Sequence, residues 1–320
     1  MAQTWKCSGL RWAAGGPELG WEGGRRTALT WGKRVAFAVE EEMSRTCVGA
    51  RGHACPVRAV VSGRSTGARC EECARLDRAH SVAADTLADD PRPYRVYLAW
   101  FGPGMVKVGI TAEERGPARL LEQGAVCFTW LGTGPLMAAR RTEELLRAAL
   151  RVPDRIPYAD KRAARSALPA TASERAREVE ELHARARALP GWPESLTPAP
   201  CAPVDHVPAF GLAQLPPAVG EVTELVAGGA LTGTLVAAAG PDLHLRTATG
   251  VVVLDTRLMR GWGLVPVGDG HHGGHPGDHG GHPGGHPGGH PGHPGGHPGH
   301  RALPLRLFRT ATPAAQDGLF

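Results

Sequence analysis

The sequence predicts an α+β fold with a small mixed domain at its centre, a cysteine-rich segment before it and a β unit behind it. Three observations carry this. Residues 94–152 alternate β-rich runs with helical periodicity. Residues 46–80 hold four cysteines and little apolar content, and residues 220–267 break into short strands separated by turn signals.

In chain order, residues 1–45 form an N-terminal β segment rich in Gly and Trp, in which 26–31 and 34–39 read as short strands separated by Gly32-Lys33. The cysteine segment, 46–80, is too poor in hydrophobics to build a core alone and needs a metal or a neighbour. In 94–152, the runs 94–101 and 105–110 flank Gly102-Pro103-Gly104, a hairpin signal. Pro117 suits the first residue of a helix that stops at Gly124. Residues 128–131 make a third strand. A second helix covers 136–150, with Leu136, Ala139, Leu146 and Leu150 on one side, and ends before Pro153.

Residues 153–218 are a helical and Pro-rich connector. Its helix, 171–189, opens on a capping box of Thr171 and Glu174, and Val179, Leu182, Ala186 and Leu189 form its apolar stripe. Its arginines and glutamates read as a solvated face. The β domain, 219–268, turns at Gly240-Pro241-Asp242 and at Ala248-Thr249-Gly250, as a small barrel or sheet would. Residues 269–300 repeat a Gly-Gly-His-Pro theme with nothing apolar to bury, and read as a long disordered loop between two strands. In the final segment, 301–320, Leu303, Leu305 and Leu307 alternate like a strand.

The bulk numbers narrow the function class. A chain of 320 residues with 42% hydrophobic content suits a soluble globular protein with two or three small cores. No 18-residue apolar run is present, so no membrane span is expected, and the N-terminus lacks the pattern of a secretory signal. A cytoplasmic setting follows as the expectation, and seven cysteines, an odd count, argue against a disulfide framework. Lys and Arg exceed Asp and Glu by 36 to 31, which favours polyanions where the excess is clustered.

Cys47 and Cys55 are separated by seven residues, and the Cys70-x-x-Cys73 knuckle follows fourteen residues later. Two sequence-local pairs of thiolates supply the tetrahedron that structural zinc requires. The first spacing is looser than in a zinc ribbon, so His53 is an alternative ligand to Cys55. A redox Cys-x-x-Cys would open a helix after a strand, and nothing apolar precedes Arg69-Cys70. Ten of the 15 histidines fall in the Gly/His/Pro tract. Such imidazoles can bind zinc, nickel or copper weakly, but low complexity alone gives no defined site, and the composition reads first as a solvated spacer.

With the hairpin centred on Pro103, Tyr97 lies opposite Gly109 and Ala99 opposite Lys107, all on one sheet face. Gly109 is expected to leave that face open to a backbone or phosphate. Arg119 on the first helix and Glu143 on the second are placed to complete a phosphodiesterase arrangement. Arginine would hold the phosphate, glutamate a divalent Mg or Mn, and tyrosine would position or deprotonate water. A small α/β domain with a buried Tyr97 and a surface Arg119 fits the same residues.

The run Val96-Tyr97-Leu98, then Lys107-Val-Gly-Ile-Thr111, then Arg119 and a later helical Glu, resembles the GIY-YIG nuclease superfamily. It is closer still to an uncharacterised prokaryotic family of unknown function with upstream cysteine knuckles and a downstream β segment. The resemblance implies a GIY-YIG-like centre in which Tyr97 and Gly109 are the motif tyrosine and glycine. It implies that Arg119 is the catalytic arginine and Glu143 the metal-binding glutamate, with Glu144 as the neighbouring alternative. Arg95-Val96 replaces the first-motif Gly-Ile, and Lys107 the second-motif tyrosine. The function expected is nucleic-acid processing by a zinc-containing protein, as a divalent-metal-dependent endonuclease. The alternatives are a non-catalytic nucleic-acid-binding module on the same fold and a metal-handling protein using its Cys and His clusters.

Overall fold

The computed structural model describes residues 3–79, 90–267 and 301–308. The N-terminal strands are β1 (Trp5–Ala13), β2 (Gly16–Trp21), β3 (Arg26–Ala28) and β4 (Arg34–Val39), and the cysteine segment ends in helix α1 (Glu71–Ala79). The centre comprises β5 (Tyr94–Trp100), β6 (Val106–Ala112), α2 (Ala118–Gln123), β7 (Cys127–Gly134) and α3 (Leu136–Leu150). The connector holds α4 (Tyr158–Ala164), α5 (Ala172–Arg187), the short strands β8 (Thr197–Pro198) and β9 (Val204–Asp205), and α6 (Val207–Phe210). The C-terminal strands are β10 (Ala218–Val222), β11 (Gly229–Ala239), β12 (Asp242–Thr247), β13 (Gly250–Asp255), β14 (Gly263–Pro266), β15 (Arg301–Ala302) and β16 (Leu305–Leu307).

Two sheets organise these strands. The larger has eleven, in the order β16-β10-β13-β12-β11-β4-β14-β1-β2-β3, with β15 on β11. The N-terminal strands β1–β4 therefore share a sheet with the C-terminal strands β10–β16. The strands that flank Gly32-Lys33 do not pair with each other. β3 pairs with β2, while β4 lies between β11 and β14, with Phe37 opposite Leu231 and Val39 opposite Leu264. Val35, Phe37 and Val39 are buried at period two, and a strand with so apolar a face is stable only inside a sheet. Leu305 and Leu307 do form a strand, antiparallel to β10, while Leu303 lies before it. The His-rich tract between β14 and β15 lies outside the described residues.

The smaller sheet has the order β6-β5-β7-β8, with β9 also on β7. Its two faces read directly from strand parity. Val96, Leu98, Trp100 and Val108 enter the main core, where α3 and α5 cover β5. Tyr97, Ala99 and Phe101 face the other way and pack with Leu120 of α2 and with Phe128. Pro117 and Gly124 bound α2, and Gly124 takes the left-handed φ of 70° that ends a helix. Helix α5 opens on the expected capping box of Thr171 and Glu174. Its polar residues are not all solvated, however: Arg175 is 5% exposed and forks onto Asp205 at 3.0 and 2.6 Å, tying α5 to β9.

Helix α4 is fastened to the large sheet by buried charge. Asp242 accepts from Arg162 at 2.9 and 2.6 Å and from Arg165 at 2.7 Å, and Arg162 reaches Glu221 at 2.6 Å and Asp255 at 3.2 Å. Tyr158 donates to the Ala239 carbonyl at 3.0 Å, beside Trp12, whose indole N–H reaches the Gly240 carbonyl at 3.0 Å. These contacts set the small sheet and α2 against the large one. No helix among the described residues is long and apolar enough to cross a membrane.

Candidate functional site

The cysteine segment is built by turns around four thiols. A two-way bridge between Ala50 and His53 closes the first loop, and Gly49 sits at φ 76° where a Cβ would overlap the His53 carbonyl. Cys47 and Val48 pair through their N–H groups with Ala59 and Ala68, and Cys70 immediately precedes α1, so that Cys73 lies in its first turn. The sulfurs of Cys47, Cys55, Cys70 and Cys73 all lie within 4.8 Å of one another. Backbone N–H groups of Gly49 and Cys70 donate to the Cys47 sulfur at 3.3 and 3.2 Å, the polarity a thiolate ligand needs. Hydrogen bonding from the Ala59 backbone pulls the Cys55 thiol down to about 7, whereas burial pushes Cys73 up to about 12. Four convergent, mostly buried sulfurs form a cluster fit for a tetrahedral metal, consistent with structural zinc. His53 is exposed and lies outside the cluster.

Arg45 joins this segment to the large sheet. Its side chain is buried and donates to the carbonyls of Arg260 at 2.8 Å, Ser62 at 2.6 Å, Ser65 at 2.5 Å and Arg257 at 3.0 Å. The Thr46 N–H adds a bond to the Gly261 carbonyl at 2.9 Å. Among the described residues the buried apolar cluster of the segment is the small one around the cysteines, and this seam and the thiols help hold it.

The hairpin has the register that its loop implies, with Tyr97 opposite Gly109 and Ala99 opposite Lys107. One expectation fails: Gly109 does not leave the face open. The Tyr97 ring lies directly across it, and a Cβ at Gly109 would overlap the ring and its hydroxyl. The missing side chain makes room for the tyrosine. Tyr97 is 2% exposed, and its hydroxyl accepts from Gln123 Nε2 at 2.9 Å. Burial raises its pKa. Lys107 Nζ sits 5.6 Å from the centre of the same ring and donates to the Asp154 carbonyl at 3.2 Å. The Val108 N–H reaches the Pro153 carbonyl at 3.0 Å, so the chain leaving α3 runs along β6 and brings Asp154 here.

The helices supply the remaining groups. Arg119 is exposed, near enough to Tyr97 and Lys107 to lower the pKa of both. Burial first, then Arg119, takes Lys107 from its ordinary 10.5 to about 8. Glu143 is half-buried and makes no hydrogen bond or ion pair among the described residues. Its pKa is raised, first by burial and then by Asp154, against the pull of Lys107. Glu144 points away into an exposed pair with Arg147 at 3.0 Å. Tyr97, Lys107, Gly109, Arg119 and Glu143 therefore gather in one neighbourhood. Sequence reasoning missed Gln123 and Asp154. Gln123 was visible as the residue one turn after Arg119, whereas Asp154 sits beyond a helix stop with no local signal.

No curated protein and no solved structure matches the chain. A family model described as Protein of unknown function (DUF2797) matches residues 32–264, from just before β4 into β14. That match spans most of the chain, including the four cysteines and the whole Tyr97–Glu143 neighbourhood, and the chain belongs to this family.

Proposed function

We propose that the protein binds nucleic acid at the face formed by Tyr97, Lys107, Arg119 and Glu143 and hydrolyses a phosphodiester there, with zinc on the four cysteines holding the neighbouring segment folded. The observation that carries the reading is the state of Glu143. A carboxylate drawn partly out of water, without a hydrogen-bond or ion-pair partner among the described residues and close to Lys107 and Asp154, is suited to a divalent cation and an anionic substrate. The hairpin register, followed by helices bearing Arg119 and Glu143, supports a GIY-YIG-like centre.

Mg or Mn at Glu143, with Asp154 close by, would supply charge neutralisation of the scissile phosphate. Arg119, exposed at the rim, grips the phosphate and stabilises the charge that develops on its oxygens. The buried Tyr97 hydroxyl, held by Gln123, positions the face and does not exchange protons near neutrality. Lys107, brought down to about 8, is the better proton acceptor. Near neutral pH most of its amine is charged and attracts the backbone; the neutral fraction takes a proton from the attacking water as the water oxygen bonds to phosphorus, and the strand oxygen leaves with the electrons of the broken P–O bond and takes a proton from solvent.

A second reading, a binding module without turnover, is favoured by the Tyr97 ring that closes the floor over Gly109. The two separate in one assay. Zinc-loaded protein is given labelled single- and double-stranded DNA and RNA with Mg, Mn or a chelator. Hydrolysis predicts divalent-dependent products, an Arg119→Ala rate lower by about 10²–10³-fold, and loss of the divalent response in Glu143→Gln. Intact substrate under every condition leaves the binding reading alone.

A further inference from the structure

A second cationic site lies where the two sheets meet. A cavity of about 410 Å³ is lined by Arg11 of β1, Arg119 and Gln123 of α2, Tyr158 and Lys161 of α4, and Arg257 from the turn after β13. Its volume falls in the range of small-ligand sites. Glu122 is the one carboxylate of the lining, and Arg115 already engages it at 2.5 Å. Arg257 is held by Asp255 at 2.9 and 2.6 Å. Arg11 and Lys161 have no carboxylate partner among the described residues.

Lys161 is the informative member. It is 6% exposed, and its ammonium makes no hydrogen bond among the described residues. The nitrogen rests 3.8 Å from the centre of the Phe101 ring and 5.7 Å from that of Tyr158. The largest charges that act on it, from Lys107, Arg165, Arg119 and Arg257, are positive. An ammonium largely withdrawn from water among cations, with no protein acceptor among the described residues, is costly, and an anion in the cavity it lines relieves the cost. Two unpartnered cations on a cavity wall match the two charges that a phosphate monoester carries near neutral pH. A diester, with one charge, leaves the match incomplete.

We propose that this cavity binds a phosphate monoester, with Arg11 and Lys161 as its chief ligands and Arg119 as the residue it shares with the candidate hydrolytic face. The monoester is either that of a free mononucleotide or the 5′-phosphate at the end of a strand. The proposal rests on the nucleic-acid reading only through Arg119 and the strand-end alternative.

The test is calorimetric titration of the full chain with adenosine 5′-monophosphate, with adenosine as the control, and with one oligonucleotide carrying a 5′-phosphate or a 5′-hydroxyl. The monophosphate binds and adenosine does not. Lys161→Met and Arg11→Gln each weaken binding by about tenfold or more. Arg11 is exposed, so its variant remains informative should Lys161→Met fold poorly. Burial and the surrounding cations hold Lys161 at about 7, so at pH 8 the wild type takes up close to one proton per phosphate bound. Lys161→Met loses that uptake, read from the heats in two buffers of different ionisation enthalpy. A preference for the 5′-phosphorylated strand assigns the site to strand ends; monophosphate binding without that preference assigns it to mononucleotides. Glu143→Gln keeps monophosphate binding even where cleavage is lost, which separates failure of this site from failure of the hydrolytic reading. Equal binding of adenosine and its monophosphate, or unchanged affinity in both cation variants, overturns the proposal.

Discussion

Replacing Asp242 by Ala removes the carboxylate on which α4 is seated. Asp242 is fully buried and accepts three hydrogen bonds from two arginines. The two would be left in different states. Arg162 keeps Glu221 at 2.6 Å and Asp255 at 3.2 Å. Arg165, whose side chain is 2% exposed, keeps only the Tyr158 hydroxyl at 2.7 Å and loses its sole carboxylate among the described residues. An uncompensated buried charge costs about 3–5 kcal/mol, against about 0–1 kcal/mol for an exposed pair such as Arg177 with Glu181. Urea unfolding followed by tryptophan fluorescence measures the difference, since Trp12 is bonded to Gly240, two residues from Asp242. Arg165→Met added to Asp242→Ala should recover part of the loss, because it withdraws the stranded cation. A loss under about 1 kcal/mol for Asp242→Ala, or no recovery in the double variant, would refute this account of how α4 is held.

Three further outcomes follow from the geometry. Cys70→Ser should bring zinc from about one per chain to near zero by metal analysis and expose residues 46–79 to proteolysis, because ligand binding there is folding energy; full zinc content in the variant would contradict the four-cysteine site. Gly109→Ala should cost about 1–3 kcal/mol, since the new methyl must displace the Tyr97 ring and its bond from Gln123; an unchanged melting temperature would show that the ring is not seated there. Lys107 and Lys161 titrate at about 8 and 7 in the folded chain against an ordinary 10.5. Both folded values are depressed, so the unfolded chain binds more protons between about pH 7 and 10.5 and these lysines make stability rise with pH across that window. The charges facing Lys161 are Lys107, Arg165, Arg119 and Arg257, of which only Lys107 titrates there; Lys161→Met should flatten the rise near pH 7 to 8.

Local chemistry made the centre legible. Proline and glycine marked the ends of α2, apolar spacing and Pro153 bounded α3, and the Thr171–Glu174 pair announced α5. Strand parity gave the hairpin register, and cysteine spacing gave the cluster. The pairing of β4 with β11 was not legible, because it joins residues about two hundred positions apart and the alternation in each strand does not say which strand lies beside it. Nor were the buried cations. Arg45, Lys161, Arg165 and Arg175 look like solvated surface in a sequence, and only tertiary packing supplies the carbonyls, rings and carboxylates around them. The same limit hid the cavity, whose lining comes from β1, α2, α4 and the turn after β13. At Gly109 the local rule predicted open space, and the side chain across the hairpin filled it.

The central claim is that a nucleic-acid backbone is gripped beside Tyr97 by Lys107 and Arg119, whether or not it is then cut. It is tested most directly by the salt dependence of affinity for a short DNA or RNA strand, measured in a chelator so that nothing is cleaved. The account predicts a log–log slope that flattens by about one for each of Arg119→Ala and Lys107→Ala. Exposed Arg177→Ala, on the outer side of α5, should leave the slope as it is. Slopes unchanged by the first two substitutions, or affinity insensitive to salt in the wild type, would contradict it.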